Sequence, residues 1–250
     1  MSKVYSSKNQ LQQIANILTG YLRVPFARNN VPGELVENVI GFVRNGDVLN
    51  TYDFVDVINT HEKVGWQVKS TKALTPVTWK RAKIPNSNEL IKESERTKEG
   101  TQRLGNAIIR FCNENIKRSM EKHSLEEIGF SRLIVHASGK LTYFEKLLCS
   151  LEQPEVFYED DFSWEWPSPK ETVIKEQLPA LHGWHTPTQK KWFAWHGRGE
   201  NQLHFSGEKY WWPTTGANKI EFNFPETRLS QEEFMKILSD ISSYVKKTLP

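Results

Sequence analysis

Residues 53–71, DFVDVINTHEKVGWQVKST, decide how the chain is read. Two runs rich in β-branched and aromatic residues, 53–58 and 64–71, flank the polar stretch NTHEK at 59–63, which is the pattern of a β-hairpin with a short loop. Side-chain direction repeats every two residues along a strand, so folding about NTHEK places Asp53 near Lys69 and Val55 opposite Gln67. Asp53, Gln67 and Lys69 then share one face. A one-residue slip in register exchanges Asp53 for Asp56, and the loop length allows both pairings. An acid beside a lysine is costly to bury unless a charge or a metal organises it, so this face is either solvent-exposed or a site.

Working outward, Leu11, Ile14, Ala15, Ile17, Leu18 and Leu22 recur at three-and-four spacing and predict a helix over 8–22. A second helix starts near Pro32 and Gly33 and stops at Asn45-Gly46. Residues 72–100 mix Lys72, Lys80, Arg81 and Lys83 with Pro76, Pro85 and Asn86, and read as a basic loop or insertion. A long helix is predicted at about 100–121, and FSRLIVHA at 130–137 is the continuous apolar run of a central strand. The acidic, Pro-rich stretch 152–170 leads to a Trp-rich segment, 184–224, whose glycines mark the turns of an antiparallel β lobe. A final helix covers 230–247. The plan is mixed α/β.

These residues resemble the PD-(D/E)XK nuclease superfamily, whose signature is an Asp at the start of one strand and a (Glu/Asp/Gln)-x-Lys on the next. Asp53-Phe-Val-Asp56 and Gln67-Val68-Lys69 carry the resemblance, with Gln67 fourteen positions after Asp53. Many members add a Glu on the preceding helix. Glu34 and Glu37 are both available, and Glu37, four residues after Gly33, is the better match. The resemblance covers roughly residues 33–137 and takes the Gln-x-Lys form found among type II restriction endonucleases and their relatives. Only nine residues, 44–52, lie between the helix and Asp53, which leaves little room for the family's first strand.

The resemblance implies a restriction-endonuclease-like mixed sheet flanked by helices, with an added C-terminal aromatic-rich β lobe. The nuclease core with its N-terminal helix would occupy 1–151. An acidic linker, the β segment and the closing helix would fill 152–250, packed on the core as one unit. It also implies hydrolysis of double-stranded DNA with Mg²⁺, Mn²⁺ being an acceptable substitute. Asp53, Glu37, Gln67 and the Val68 carbonyl would hold the metal, Lys69 would act on the attacking water, and Glu34 and Asp56 are alternates. A hard divalent cation suits this chemistry because it binds oxygen, neutralises developing charge and lowers the pKa of water. Cutting both strands requires a homodimer or sequential nicking by a monomer. A host carrying such an enzyme, bacterial or archaeal, needs a cognate DNA methyltransferase. The alternatives are a structure- or damage-specific repair nuclease of the same superfamily and a catalytically inactive DNA-binding module in which Gln67 marks a lost metal site.

Charge distribution agrees with a polyanionic partner. Lys and Arg outnumber Asp and Glu by 14 to 7 over residues 61–123, whereas the acids lead by 10 to 4 over 124–171. Clustered cations release counterions from a phosphate backbone, and Lys72, Lys80, Arg81 and Lys83 are the candidates near the hairpin. In the Trp-rich segment, Arg198, Asn201, Gln202, His204 and Lys209 are side chains able to contact base edges or phosphates. The chain reads as a cytoplasmic protein without a signal core, with no apolar run near the roughly eighteen residues needed to span a bilayer. Two cysteines, Cys112 and Cys149, exclude a Cys-based zinc cluster and a disulfide framework. No GxGxxG, P-loop or G-x-S-x-G is present, which argues against dinucleotide enzymes, kinases and α/β hydrolases.

Overall fold

The computed structural model describes residues 2–50, 53–168, 179–199, 201–206 and 218–248. Ser7 opens α1 (Lys8–Arg23) with a capping box, its hydroxyl accepting from the Gln10 amide while the Gln10 side chain accepts from the Ser7 amide. Helix α2 (Gly33–Arg44) ends where Asn45 turns left-handed, at φ 49°. The short β1 (Asp47–Val48) follows at once and pairs with β2 (Val57–Asn59), so the little space between helix and hairpin holds a two-residue strand. Strand β3 (Val64–Lys72) completes the hairpin.

The segment expected to be an unpacked basic loop is ordered. It forms β4 (Val77–Arg81) and α3 (Ser87–Ser94). The reason is the alternation within Val77-Thr78-Trp79-Lys80: Val77 and Trp79 are fully buried while Thr78 is exposed, and Trp79 packs within 6 Å of Phe54, Phe130, Phe157 and Phe205. Helix α4 (Lys98–His123) then crosses to β5 (Glu127–Val135), which lies parallel to β3 and starts three residues earlier than its apolar run suggests. Strands β6 (Lys140–Ser150), β7 (Phe162–Glu165), β8 (Leu181–His185), β9 (Lys190–Trp195), β10 (Gln202–Phe205) and β11 (Asn218–Asn223) precede α5 (Gln231–Thr248).

Two sheets result. The first runs β1-β2-β3-β5-β6-β11, with β3 and β5 its parallel pair, and the second runs β4-β10-β9-β8-β7, antiparallel throughout. Val64, Trp66 and Val68 on β3 face α1 and α2, against Leu18, Val36 and Ile40. The opposite side of the first sheet, with Phe130 and Phe144, packs on Leu104, Ile108 and Cys112 of α4 and on Trp79, Phe193 and Phe205 of the second sheet. The two sheets therefore share one core. β4 enters the second sheet from the first half of the chain, and β11 returns from the aromatic segment to the first sheet. Along the chain α2, β1–β3, β4, α3, α4 and β5 follow one another, the mixed α/β plan expected from the sequence. Among the described residues no helix is long and apolar enough to cross a membrane.

Candidate functional site

The hairpin closes one residue later than the NTHEK loop suggests. Asn59 pairs with Val64, Ile58 with Gly65 and Val57 with Trp66, leaving Thr60–Lys63 as the turn. Asn59 is drawn into the strand because its buried amide donates to the Arg44 carbonyl at 2.8 Å and accepts from the Glu62 amide at 2.8 Å. The ladder continues through the Asp56 amide, which donates to the Trp66 carbonyl at 2.8 Å. Asp56, and not Asp53, is therefore the aspartate at the end of the ladder, beside Val68 and Lys69.

Beyond this point the strand bends away and the Asp56 carboxylate takes over the edge of β3. Its Oδ2 accepts from the Val68 amide at 2.7 Å and from Lys69 Nζ at 3.4 Å. Both charged side chains are about one-quarter exposed. The Val68 carbonyl leaves β3 on the same edge as its amide, because both polar groups of a strand residue point to one side. Gln67 is 2% exposed; its Nε2 donates to the Trp79 carbonyl at 2.9 Å, and its Oε1 has no hydrogen-bond partner among the described residues. Leaving such an oxygen buried and unpaired costs about 1–3 kcal/mol.

Glu37, half-buried on α2, belongs to the same electrostatic group. Burial pushes its carboxyl pKa up, the Asp56 charge pushes the same way, Lys69 opposes them and Glu34 adds a small push upward. Glu34 itself is exposed. Asp56 and Glu37 repel each other, and Asp56 shares its cleft with the unpaired Gln67 amide oxygen; all-oxygen groups of this kind suit a hard divalent cation such as Mg²⁺. Asp56, Glu37, Gln67 Oε1 and the Val68 carbonyl are the groups that could hold it. Among the described residues no three His, Cys, Asp or Glu side chains converge, so a cation here would rest on two acids and neutral oxygens.

Asp53 sits elsewhere on the rim. Its Oδ2 accepts from Lys122 Nζ at 2.7 Å and lies 3.0 Å from His123 Nε2, tying the loop to the last turn of α4. Asp53 still lines, with Asp56, Gln67 and Lys69, a cleft of about 860 Å³ between the first sheet, β4 and α4. The opposite wall is basic: Lys80 and Arg81 from β4, Lys83 after it, and Arg118 from α4. Burial lowers the Lys80 pKa, Asp53 raises it and Arg118 lowers it again. Arg118 was not singled out from the sequence; its signal is the helix face it shares with Asn115 and Phe111, one and two turns earlier, all three lining the cleft.

The other residues expected to touch nucleic acid are dispersed. Lys72 is exposed at the end of β3 and outside the cleft lining. Arg198 pairs with Glu95 and lies over the Trp166 ring at 4.7 Å, on a different cavity. Gln202 and His204 alternate with buried Leu203 and Phe205 and so occupy the open face of the second sheet, 3.1 Å apart through Oε1 and Nε2. Asn201 is held left-handed at φ 55° with its carbonyl bonded to the Ala82 amide. Lys209 lies outside the described residues.

No family model matches the chain, and no curated protein matches it. Among solved structures, one described as "Restriction endonuclease in complex with substrate DNA" is similar to 94% of this chain over 93% of its own, at 10% identity and a TM-score of 0.43.

Proposed function

We propose that the chain is a Mg²⁺-dependent DNA endonuclease of the type II restriction kind, cutting double-stranded DNA at a specific sequence. The observation that carries this reading is the placement of Asp56, Gln67 and Lys69 in one cleft opposite a basic wall, with Glu37 in electrostatic reach of Asp56 and Lys69. A divalent cation bound there would neutralise charge on the scissile phosphate and make water more acidic. The chain's own groups do the rest. Lys80, Arg81, Lys83 and Arg118 hold backbone phosphates against the site. Asp56 pins the Val68 amide and so fixes the direction in which Lys69 extends. Lys69 Nζ donates to the attacking water or to a phosphate oxygen, stabilising negative charge as it develops. Hydrolysis leaves a phosphomonoester on one side of the break and a hydroxyl on the other.

Two strands are cut by a homodimer or by sequential nicking, and the host is protected by a methyltransferase of the same specificity. The test is incubation of the purified chain with unmethylated phage DNA in Mg²⁺ and in EDTA. Discrete Mg²⁺-dependent fragments are expected; uncut DNA with every divalent metal defeats the proposal. One observation favours a second reading. A neutral amide at position 67 weakens the anionic donor set, as in a DNA-binding module without catalysis. That module would bind DNA equally well in EDTA, and neither the native chain nor Gln67→Glu would cut it.

A further inference from the structure

A second cavity, of about 940 Å³, lies at the other end of α4. The two sites use different stretches of the helix, Lys98–Gln102 here and Phe111–Arg118 in the cleft, their centres about 22 Å apart at 1.5 Å per residue. The volume is at the upper end of the range for sites that take small molecules. Two indoles stand in its walls with their edges already fixed. Trp166 Nε1 donates to Ser94 Oγ at 3.0 Å, and Trp184 Nε1 donates to Glu165 Oε1 at 2.8 Å. Beneath them Trp164 is wedged against Gly105 and Gly183, where any Cβ would overlap its ring, so the floor is rigid. Trp184 is 36% exposed and contributes nothing to the core, which makes a pinned, solvent-facing indole hard to explain by folding alone.

The charges lining this cavity balance. Glu95, Glu99 and Glu165 are matched by Arg96, Lys98 and Arg198. A groove for the phosphate backbone carries an excess of cations, as the first cleft does. Balanced acids and bases around aromatic rings suit a neutral, planar ligand with hydrogen-bonding edges: carboxylates accept from exocyclic amino groups, and guanidinium and amide groups donate to ring nitrogens and carbonyls. The Arg198 guanidinium already lies over the Trp166 ring in this place, 4.7 Å from its centre. We infer that the cavity binds a single unpaired nucleobase, swung out of a duplex held in the Asp56–Lys69 cleft. A base still paired within the duplex cannot offer its face to an indole, so stacking here requires extrusion.

This inference rests on the proposal that the chain binds duplex DNA, and the test separates the two. A duplex with one central bulged 2-aminopurine and the same duplex fully paired are titrated against the full chain in Ca²⁺. The bulged duplex should bind about tenfold more tightly, the gain of one stacked base, and its fluorescence should fall as the base meets an indole. Trp184→Ala should abolish both the preference and the quenching while its thermal unfolding stays unchanged, and Trp184→Phe should retain most of the preference. Equal binding of the two duplexes, or a preference that survives Trp184→Ala, overturns the base site alone. If neither duplex binds, the nuclease reading falls and takes the base site with it.

Discussion

Asp53 and Asp56 are separated by one choice of register, and substitution distinguishes their tasks. Asp56→Asn keeps an oxygen that can accept the Val68 amide, 2.7 Å away in the native chain, but removes the charge beside Lys69. Asp56→Ala removes both. Val68 is 2% exposed, so stranding its amide costs about 1–3 kcal/mol. The Asp56–Lys69 pair is partly exposed and screened, which limits its own contribution to about 1 kcal/mol. Asp56→Ala should therefore unfold at clearly lower urea than the native chain, and Asp56→Asn at nearly the native concentration. Cleavage should fall by about 10²–10³ in both, the usual loss when one preorganised electrostatic group is removed. Asp53→Asn weakens the rim ion pairs to Lys122 and His123, and plasmid cleavage in Mg²⁺ should stay within about tenfold of native. The register read from the NTHEK loop demands the reverse ranking. Cutting abolished by Asp53→Asn but retained by Asp56→Asn would refute the assignment.

Gln67→Glu adds a third acid at the unpaired Oε1, and isothermal titration should show tighter Mn²⁺ binding; an unchanged affinity would place the metal elsewhere. Trp79→Ala removes the ring on which four phenylalanines converge and should cost about 3–5 kcal/mol in chemical denaturation, whereas an unpacked 72–100 segment would tolerate it. Burial pushes the Cys149 thiol up to about 12 and the Cys112 thiol higher still, so neither should react with a disulfide reagent at pH 8 until the chain is unfolded. His185 stacks on Trp192 at 3.8 Å, and burial lowers its pKa below the ordinary 6.5 despite the opposing Asp161 charge. Its contribution is complete above the unfolded pKa and is lost as pH falls from there through the lower folded value. The native chain should lose more stability than His185→Gln on going from about pH 7 to pH 5; parallel losses would show that His185 does not titrate differently on folding.

The parts of the fold that were legible are those where one local pattern has no competitor. The α1 periodicity and the Asn45-Gly46 stop are short-range signals, and neighbouring structure agrees with both. The segment 72–100 shows the opposite case. Its lysines, prolines and asparagine dominate the composition, while the deciding feature is a Val-x-Trp alternation of two residues, and burial of those two requires β10 from more than a hundred positions away. β11 is similar: Asn218–Asn223 reads as part of an aromatic lobe until β6 offers it a free edge. At the candidate site the sequence left two registers open. Acid, amide and lysine on paired strands follow from alternation alone, but which aspartate joins them depends on Asn59. That side chain finds the Arg44 carbonyl at the end of α2 and lengthens the strand by one residue. Such a bond between a hairpin and a preceding helix end leaves no trace in the spacing of either. The same long-range dependence gathers Lys80, Arg81 and Arg118 on one wall. They come from a strand and a helix that line one cleft only when β4 joins the second sheet, so the basic segment gains its place there by being packed.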